Sequence, residues 1–257
     1  MNLKLQWVAL TTHLKHETTR MFRIWLQVFL PSVITTLLYF LIFGAIIGKR
    51  LGSVDGVPYG LYIAPGLVLI AVITNTYSNT SSSLFSARFQ RSVEELLISP
   101  MYNIVFLLGY VLGGIIRGFI IALLVLSIAA LFVELHWNNL PFTMLLIVLF
   151  SSLFSLAGFT NGMLARTFDD VTIVPTFILS PLTYLGGVFY SISMLPPFWH
   201  HIALLNPIFY MVDALRWAMI GQKNPHITPA MIFICGLVIF LLGLNLVLLK
   251  RGTGIRD

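Results

Sequence analysis

The sequence predicts an all-α membrane protein with six transmembrane helices, an N-terminal interfacial amphipathic helix, and short outer-leaflet re-entrant helices between spans five and six. Three observations carry this reading. First, 58% of the 257 residues are hydrophobic and 9% are Asp, Glu, Lys or Arg, with a mean hydropathy of +0.94, whereas soluble domains carry about 25% charged residues. So few charges cannot cover a globular surface, and so much hydrophobicity excludes disorder. Second, six apolar runs reach the ~20 residues needed to cross a ~30 Å hydrocarbon layer. Third, the fifteen Lys and Arg stand mostly at the edges of those runs. Bilayer orientation produces that distribution, and it gives no basic patch for nucleic acid despite a net charge of +6.

In residues 1–23, Leu3, Trp7, Leu10, Leu14 and Met21 recur at three-, four- and seven-residue spacing, with Lys4, Lys15 and Arg20 between them. This is the pattern of a basic amphipathic helix lying in the inner interface. Spans are expected at 24–48, 59–86, 103–132, 140–165, 171–194 and 229–249, in a single transmembrane domain over 1–257. Only 103–132 contains a charge, Arg117. The runs close at Lys49/Arg50, Arg88/Arg91, Glu134, Arg166/Asp169/Asp170, Leu195-Pro196-Pro197 and Lys250/Arg251, with Asp169/Asp170 expected to cap span five. The first run begins after some two dozen residues, outlasts a signal-peptide core and lacks a small-x-small exit, so it reads as a retained anchor.

Residues 195–221 are apolar but hold His200, His201, Asp213 and Arg216, and are punctuated by Pro196, Pro197 and Pro207. Asn206 and Pro207 fit N-cap and N1 of a helix stopped by Gly221, and Thr228-Pro229 fits the same roles for the last span. The stretch therefore reads as two short helices that dip into the outer leaflet and return. With the N-terminus inside, Lys4, Lys15, Arg20, Arg23, Arg88, Arg91, Arg166, Lys250, Arg251 and Arg256 are cytoplasmic. Only Lys49, Arg50, Arg216 and Lys223 are outside, so both termini are expected in the cytoplasm.

No catalytic constellation stands out. Gly44-Ala-Ile-Ile-Gly48-Lys49-Arg50 has the wrong spacing for a phosphate loop and no Ser/Thr for a metal. His13-Leu-Lys-His16-Glu17 fits neither zinc motif, and adjacent His200 and His201 point about 100° apart on a helix. The single cysteine, Cys235, excludes an intramolecular disulfide or a cysteine metal cluster. No metal or cofactor is expected on this chain.

Gly109/Gly113 and Gly114/Gly118 place small residues one turn apart in the third run, allowing close helix packing. Arg117 lies among them and is a functional candidate because an intramembrane charge is costly. The run is longer than a span needs, so snorkelling to the inner headgroups is preferred over a place on the pathway. Pro65-Gly66 and Ser180-Pro181 would break their helices, making Pro65, Gly66 and Pro181 further pathway or hinge candidates. Asp213 and Arg216, three residues apart, can pair on one helix face.

Between spans two and three, the loop 87–102 carries Ser92 followed by Glu95, a capping-box pattern, then Leu96-Leu97-Ile98 and a stop at Ser99-Pro100. Glu94-Glu-Leu-Leu-Ile-Ser-Pro100 resembles the E-x-L-L-x-S-P signature of type-2 ATP-binding-cassette (ABC) permeases, the membrane subunits of polysaccharide, lipo-oligosaccharide and drug exporters. Tyr62-Ile-Ala-Pro-Gly66 and Gly186-Gly-Val-Phe-Tyr, Leu195-Pro, Asn206-Pro207, Tyr210 and Asp213-x-x-Arg216 agree in order with that family. The family's Gly-Thr-Leu before the acidic residue is here Arg91-Ser92-Val93.

The resemblance implies an exporter permease without enzymatic activity, in the inner (plasma) membrane. It further implies a pathway formed by two permease copies and a separate ATPase subunit, also in two copies, that holds ATP and Mg. Arg91, Glu94, Glu95, Leu96, Leu97, Ser99 and Pro100 would form the coupling helix at the ATPase contact. Two other classes are weighed against this. A membrane-embedded enzyme at the outer headgroups would use His200, His201, Asp213 and Arg216, but has no motif. An ion-coupled carrier predicts acidic residues within the six runs, which contain none.

Overall fold

The computed structural model describes residues 3–93, 101–135, 137–222 and 227–252. The expected coupling residues Glu94, Glu95, Leu96, Leu97, Ser99 and Pro100 lie outside the described residues, while Arg91 precedes them, at φ 59°.

Helix α1 (Leu3–Arg23) leads into α2 (Trp25–Leu51), whose middle, Phe40–Ile47, is a π-helix. A minimal antiparallel hairpin, β1 (Ser53–Val54) and β2 (Val57–Pro58), turns the chain into α3 (Tyr59–Phe89). There follow α4 (Asn103–Phe132), α5 (Leu140–Leu164) and α6 (168–185), the last interrupted by a π stretch at Pro175–Leu179. Short helices α7 (Pro197–Leu204) and α8 (Pro207–Ile220) precede the terminal α9 (Ile227–Arg251).

Five of these helices, α2, α3, α4, α5 and α9, are long and apolar enough to cross a membrane. The helix expected over 171–194 is shorter than the hydropathy suggested. It stops at Leu185, where Gly186 and Gly187 (φ 69°) release the chain into an irregular segment with one 3₁₀ turn at Ile192–Met194. Gly187 occupies the left-handed region that a side chain disfavours. Asn206 caps α8 by accepting from the Ile208 amide, Pro207 follows at N1, and Gly221 closes the helix at φ 78°. Thr228 falls in the first turn of α9 rather than before it, because the helix already runs from Ile227. At the start of α6, Thr167 and Asp170 form a reciprocal capping box.

Helix α3 is the axis of the bundle, packed against α4, α5 and α8. Of its most apolar stretch 72% is buried, against 11% of α2 and 17% of α9. One core gathers Tyr62, Ile63, Val72, Tyr77, Ile121, Phe150, Met211 and Leu215. A second, toward the C-terminal end of α3, gathers Leu84, Phe106, Tyr110, Phe159 and Met163. Helix α9 is tied to α5 by Asn245, fully buried, which accepts from Thr160 Oγ1 (2.8 Å) and donates to the Leu156 carbonyl (3.0 Å).

Candidate functional site

The most polar feature of the bundle is built on α3. Residues 74–83 read Thr-Asn-Thr-Tyr-Ser-Asn-Thr-Ser-Ser-Ser, and Asn75, Asn79 and Ser83, four apart, share one helix face. Arg117 of α4 donates to Asn75 Oδ1 (3.0 Å) and Asn79 Oδ1 (3.2 Å). Arg20 of α1 donates to Asn79 Oδ1 (3.1 Å) and Glu17 Oε2 (3.1 Å). Glu17, 4% exposed, accepts from Ser83 Oγ through both oxygens (2.8 and 2.9 Å). Asn75 in turn donates to Ser32 Oγ of α2 (2.9 Å). One hydrogen-bonded chain thus joins α1, α2, α3 and α4. Buried charges persist where they are paired and hydrogen-bonded in this way. The Arg117 guanidinium turns onto α3.

The glycines of α4 determine how closely its neighbours approach. A Cβ on Gly109 would meet the His13 ring at 2.5 Å, and one on Gly113 would meet Glu17 Cβ at 3.0 Å, so this pair seats α1. A Cβ on Gly114 would strike Ser155 and Thr80, and one on Gly118 would strike Ser151 and Thr76, so the second pair seats α5 and α3. Gln6 Oε1 also accepts from the Tyr102 amide at the start of α4 (3.0 Å). The successive contacts Gln6–Tyr102, His13–Gly109 and Glu17–Gly113 make α1 run parallel to the first half of α4. Helix α1 buries Gln6, His13 and Glu17 and exposes Leu3, Leu5, Trp7, Val8 and Phe22. Burial pushes the His13 imidazole below its ordinary value, against the opposing influence of Glu17.

Arg88 Nη1, near the end of α3, caps α5 by donating to the carbonyls of Gly162 (2.6 Å), Met163 (2.7 Å) and Ala165 (3.0 Å). A cation at a helix C-terminus is favoured electrostatically as well as by these bonds.

A second polar cluster lies at the opposite end of α3. The four carbonyls released after α6 are each taken by a side chain. Gly187 and Val188 accept from Arg216 Nη2 (2.5 and 3.2 Å), Phe189 from Tyr59 Oη (2.9 Å) and Tyr190 from Tyr62 Oη (3.2 Å). Arg216, 2% exposed, also donates from Nε to the Tyr62 carbonyl (3.3 Å) and sits 3.8 Å over the Tyr62 ring. Arg216 thus clamps backbone carbonyls, and Asp213, three residues before it, adds a favourable electrostatic influence. Asn206 Nδ2 completes the cluster by donating to the Leu182 carbonyl (2.5 Å).

This clamp defines the places of the proline and glycine candidates. Helix α3 runs unbroken through Pro65, and Gly66 lets the 186–190 segment approach, since its Cβ would meet Val188 Cγ1 at 2.5 Å. The break in α6 precedes Pro181, falling at the π stretch where the Ser180 amide reaches back to the Pro175 carbonyl. Sequence reasoning singled out Arg117 and Arg216 but missed Glu17, Arg20, Asn75, Asn79, Ser83, Tyr59 and Tyr62 as their partners.

Comparison with known proteins supplies an independent line. The family described as ABC-2 type transporter matches residues 8–220. The chain is 46% identical to the inner membrane transport permease YadH of Escherichia coli K12, over 99% of this chain and all of that protein. It is 23% identical to nodulation protein J of Rhizobium leguminosarum bv. viciae over 88% of this chain and 90% of that protein. The corresponding protein of Neorhizobium galegae is also 23% identical, over 96% of this chain and 94% of that protein.

Proposed function

The chain belongs to the ABC-2 type transporter family as a membrane permease, and from that premise we infer that it is the pathway-forming subunit of an exporter driven by a separate ATPase. Two copies would enclose the pathway, each engaged by one ATPase subunit that holds ATP and Mg, with this chain binding neither. The protein would sit in the inner membrane as a single permease domain over 1–257, both termini cytoplasmic. Helix α1 would lie at the inner interface with Leu3, Trp7 and Val8 toward lipid. Segment 168–185 would supply the sixth span, and 195–221 the re-entrant helices.

The observation that carries this reading is where the polar junction stands. Segment 94–100 leaves the end of α3 and returns into the start of α4, and those two helices are bonded to each other through Arg117, Asn75 and Asn79. Helix α1 is seated on the same α4 half by Gly109 and Gly113 and bonded to α3 by Glu17 and Arg20. A push on Glu94, Glu95, Leu96, Leu97, Ser99 and Pro100 would move these helices together rather than deform a loop. A ligand-driven change needs an element whose position differs between states, and this joined unit is a suitable one. The sparsely buried α2 and α9 offer surface for the second copy.

The ion-coupled reading is weaker. It needs a carboxylate free to take and release a cation, and the buried carboxylate Glu17 is already held by Arg20 and Ser83. The test is co-purification. The chain, expressed with an ABC ATPase from its own genome, should retain that ATPase through size exclusion in a 2:2 complex, and retention of none of them would remove the reading.

A further inference from the structure

We propose that the cleft between α1 and the C-terminal end of α3 is a binding site for a phosphate-bearing lipid headgroup, formed by Arg20, Arg23, His16 and the hydroxyls of Thr19 and Ser86. The cleft has a volume of about 810 Å³. That is ample for a headgroup, since small-molecule sites span roughly 300–1,000 Å³.

The charge balance selects an anion. Among the described residues, Arg20 and Arg23 line the cleft against one carboxylate, Glu17, and that carboxylate is already engaged by Ser83 and by Nη2 of Arg20. Arg117 adds a further positive charge behind Asn79, so the described residues of the region carry more cationic than anionic side chains. Arg23 is exposed, and the hydrogen bonds of Arg20 run through Nη2 while its buried Nε has no partner among the described residues. His13, 6% exposed, forms part of the wall. Guanidinium groups match phosphate oxygens in charge and geometry.

The walls point to an amphiphile. Ala9, Ala87, Met101 and Tyr110 supply apolar surface beside the cationic end. Outside the cleft, α1 exposes Leu3, Trp7 and Val8, a face suited to acyl chains at the level of the headgroups. A headgroup seated there would touch α1 and α3 at once, beside Ser92 and Met101, which flank segment 94–100. The site does not depend on the direction of transport or on the cargo.

The test is native mass spectrometry of the full chain, delipidated in a maltoside detergent and then given phosphatidylglycerol or phosphatidylcholine. Phosphatidylglycerol should be retained about tenfold more, and Arg23→Gln should remove about tenfold of that preference, as expected for one charge-assisted contact. Lys15→Gln, the same charge change on an exposed residue outside the cleft, should leave it intact. Ala9→Trp should lower retention by filling the cavity without changing charge. Displacement by excess inorganic phosphate would assign the site to the free anion, and resistance to it assigns the site to the lipid. Equal retention of the two lipids, or equal losses from Arg23→Gln and Lys15→Gln, would overturn the proposal. A thermal melt of each variant separates a lost site from a lost fold.

Discussion

Arg20 and Arg117, on helices 97 positions apart in sequence, donate to the same oxygen, Asn79 Oδ1, at 3.1 and 3.2 Å. Two like charges are held at one amide, with Glu17 as the carboxylate of the cluster. The arrangement predicts an asymmetry at position 79. Asn79→Leu leaves two guanidinium groups short of an acceptor and should destabilise the protein by about 2–4 kcal/mol, since buried unpaired charge costs more than a neutral orphan. Asn79→Asp places a second carboxylate between them and should raise thermal stability in detergent. A fall in melting temperature for Asn79→Asp would contradict the geometry.

The glycines of α4 and α5 supply a second prediction. Gly158→Ala drives a Cβ to 2.5 Å from the Tyr77 carbonyl, and Gly114→Ala drives one onto Ser155 and Thr80. Each should destabilise by about 1–3 kcal/mol, as overpacking does. Gly236→Ala and Gly243→Ala on α9 meet nothing within 4 Å. Their effect should be neutral or stabilising by up to about 1 kcal/mol from helix propensity. Thermal melts of all four in one detergent check the ordering.

Much of this fold was legible because membrane spans are written in local signals. The ends of α4 and α5 follow Tyr102-Asn103, Asn139-Leu140 and the charges beyond them, and α8 follows Asn206-Pro207 and Gly221. The junction was less legible because spans were judged by charge, and Thr74 to Ser83 carries none. The polar run and the four-residue spacing of Asn75, Asn79 and Ser83 were nevertheless present in the sequence. Glu17 entered the sequence reading only in a stretch that fits neither zinc motif, whereas its face of α1 meets α4. The early end of α6 was invisible to hydropathy, because the carbonyls of 187–190 are satisfied by Tyr59, Tyr62 and Arg216 from distant parts of the chain.

That clamp yields a third prediction. Arg216→Leu leaves the carbonyls of Gly187 and Val188 without their donor, at about 1–3 kcal/mol for each buried group left unpaired. Arg216→Lys keeps the charge but loses the planar fork and the stacking over Tyr62, so it should recover only part of the loss. Limited proteolysis of 186–194 should increase in the order wild type, Arg216→Lys, Arg216→Leu. Equal cleavage of all three would show that the clamp does not hold this segment.

The fourth concerns pH. His13 is held below its unfolded value of about 6.5 by burial, so the unfolded chain binds the proton first as pH falls. The stability linked to a neutral His13 is therefore present above about pH 6.5 and is lost as pH drops toward the folded value. Melting temperature should decline between about pH 7.5 and 5.5, and His13→Gln should flatten that part of the profile. An unchanged slope in the variant would contradict the assignment.

Coupling to a separate motor is decided by ATP turnover of the reconstituted complex with Glu94 and Leu97 both replaced by alanine. With the partner ATPase bound in the same membrane, wild-type permease should stimulate turnover, and the double variant should lose that stimulation while the melting temperature of the permease stays unchanged. Stimulation that survives the double replacement, or hydrolysis of ATP by the isolated chain, would contradict a passive pathway driven through segment 94–100.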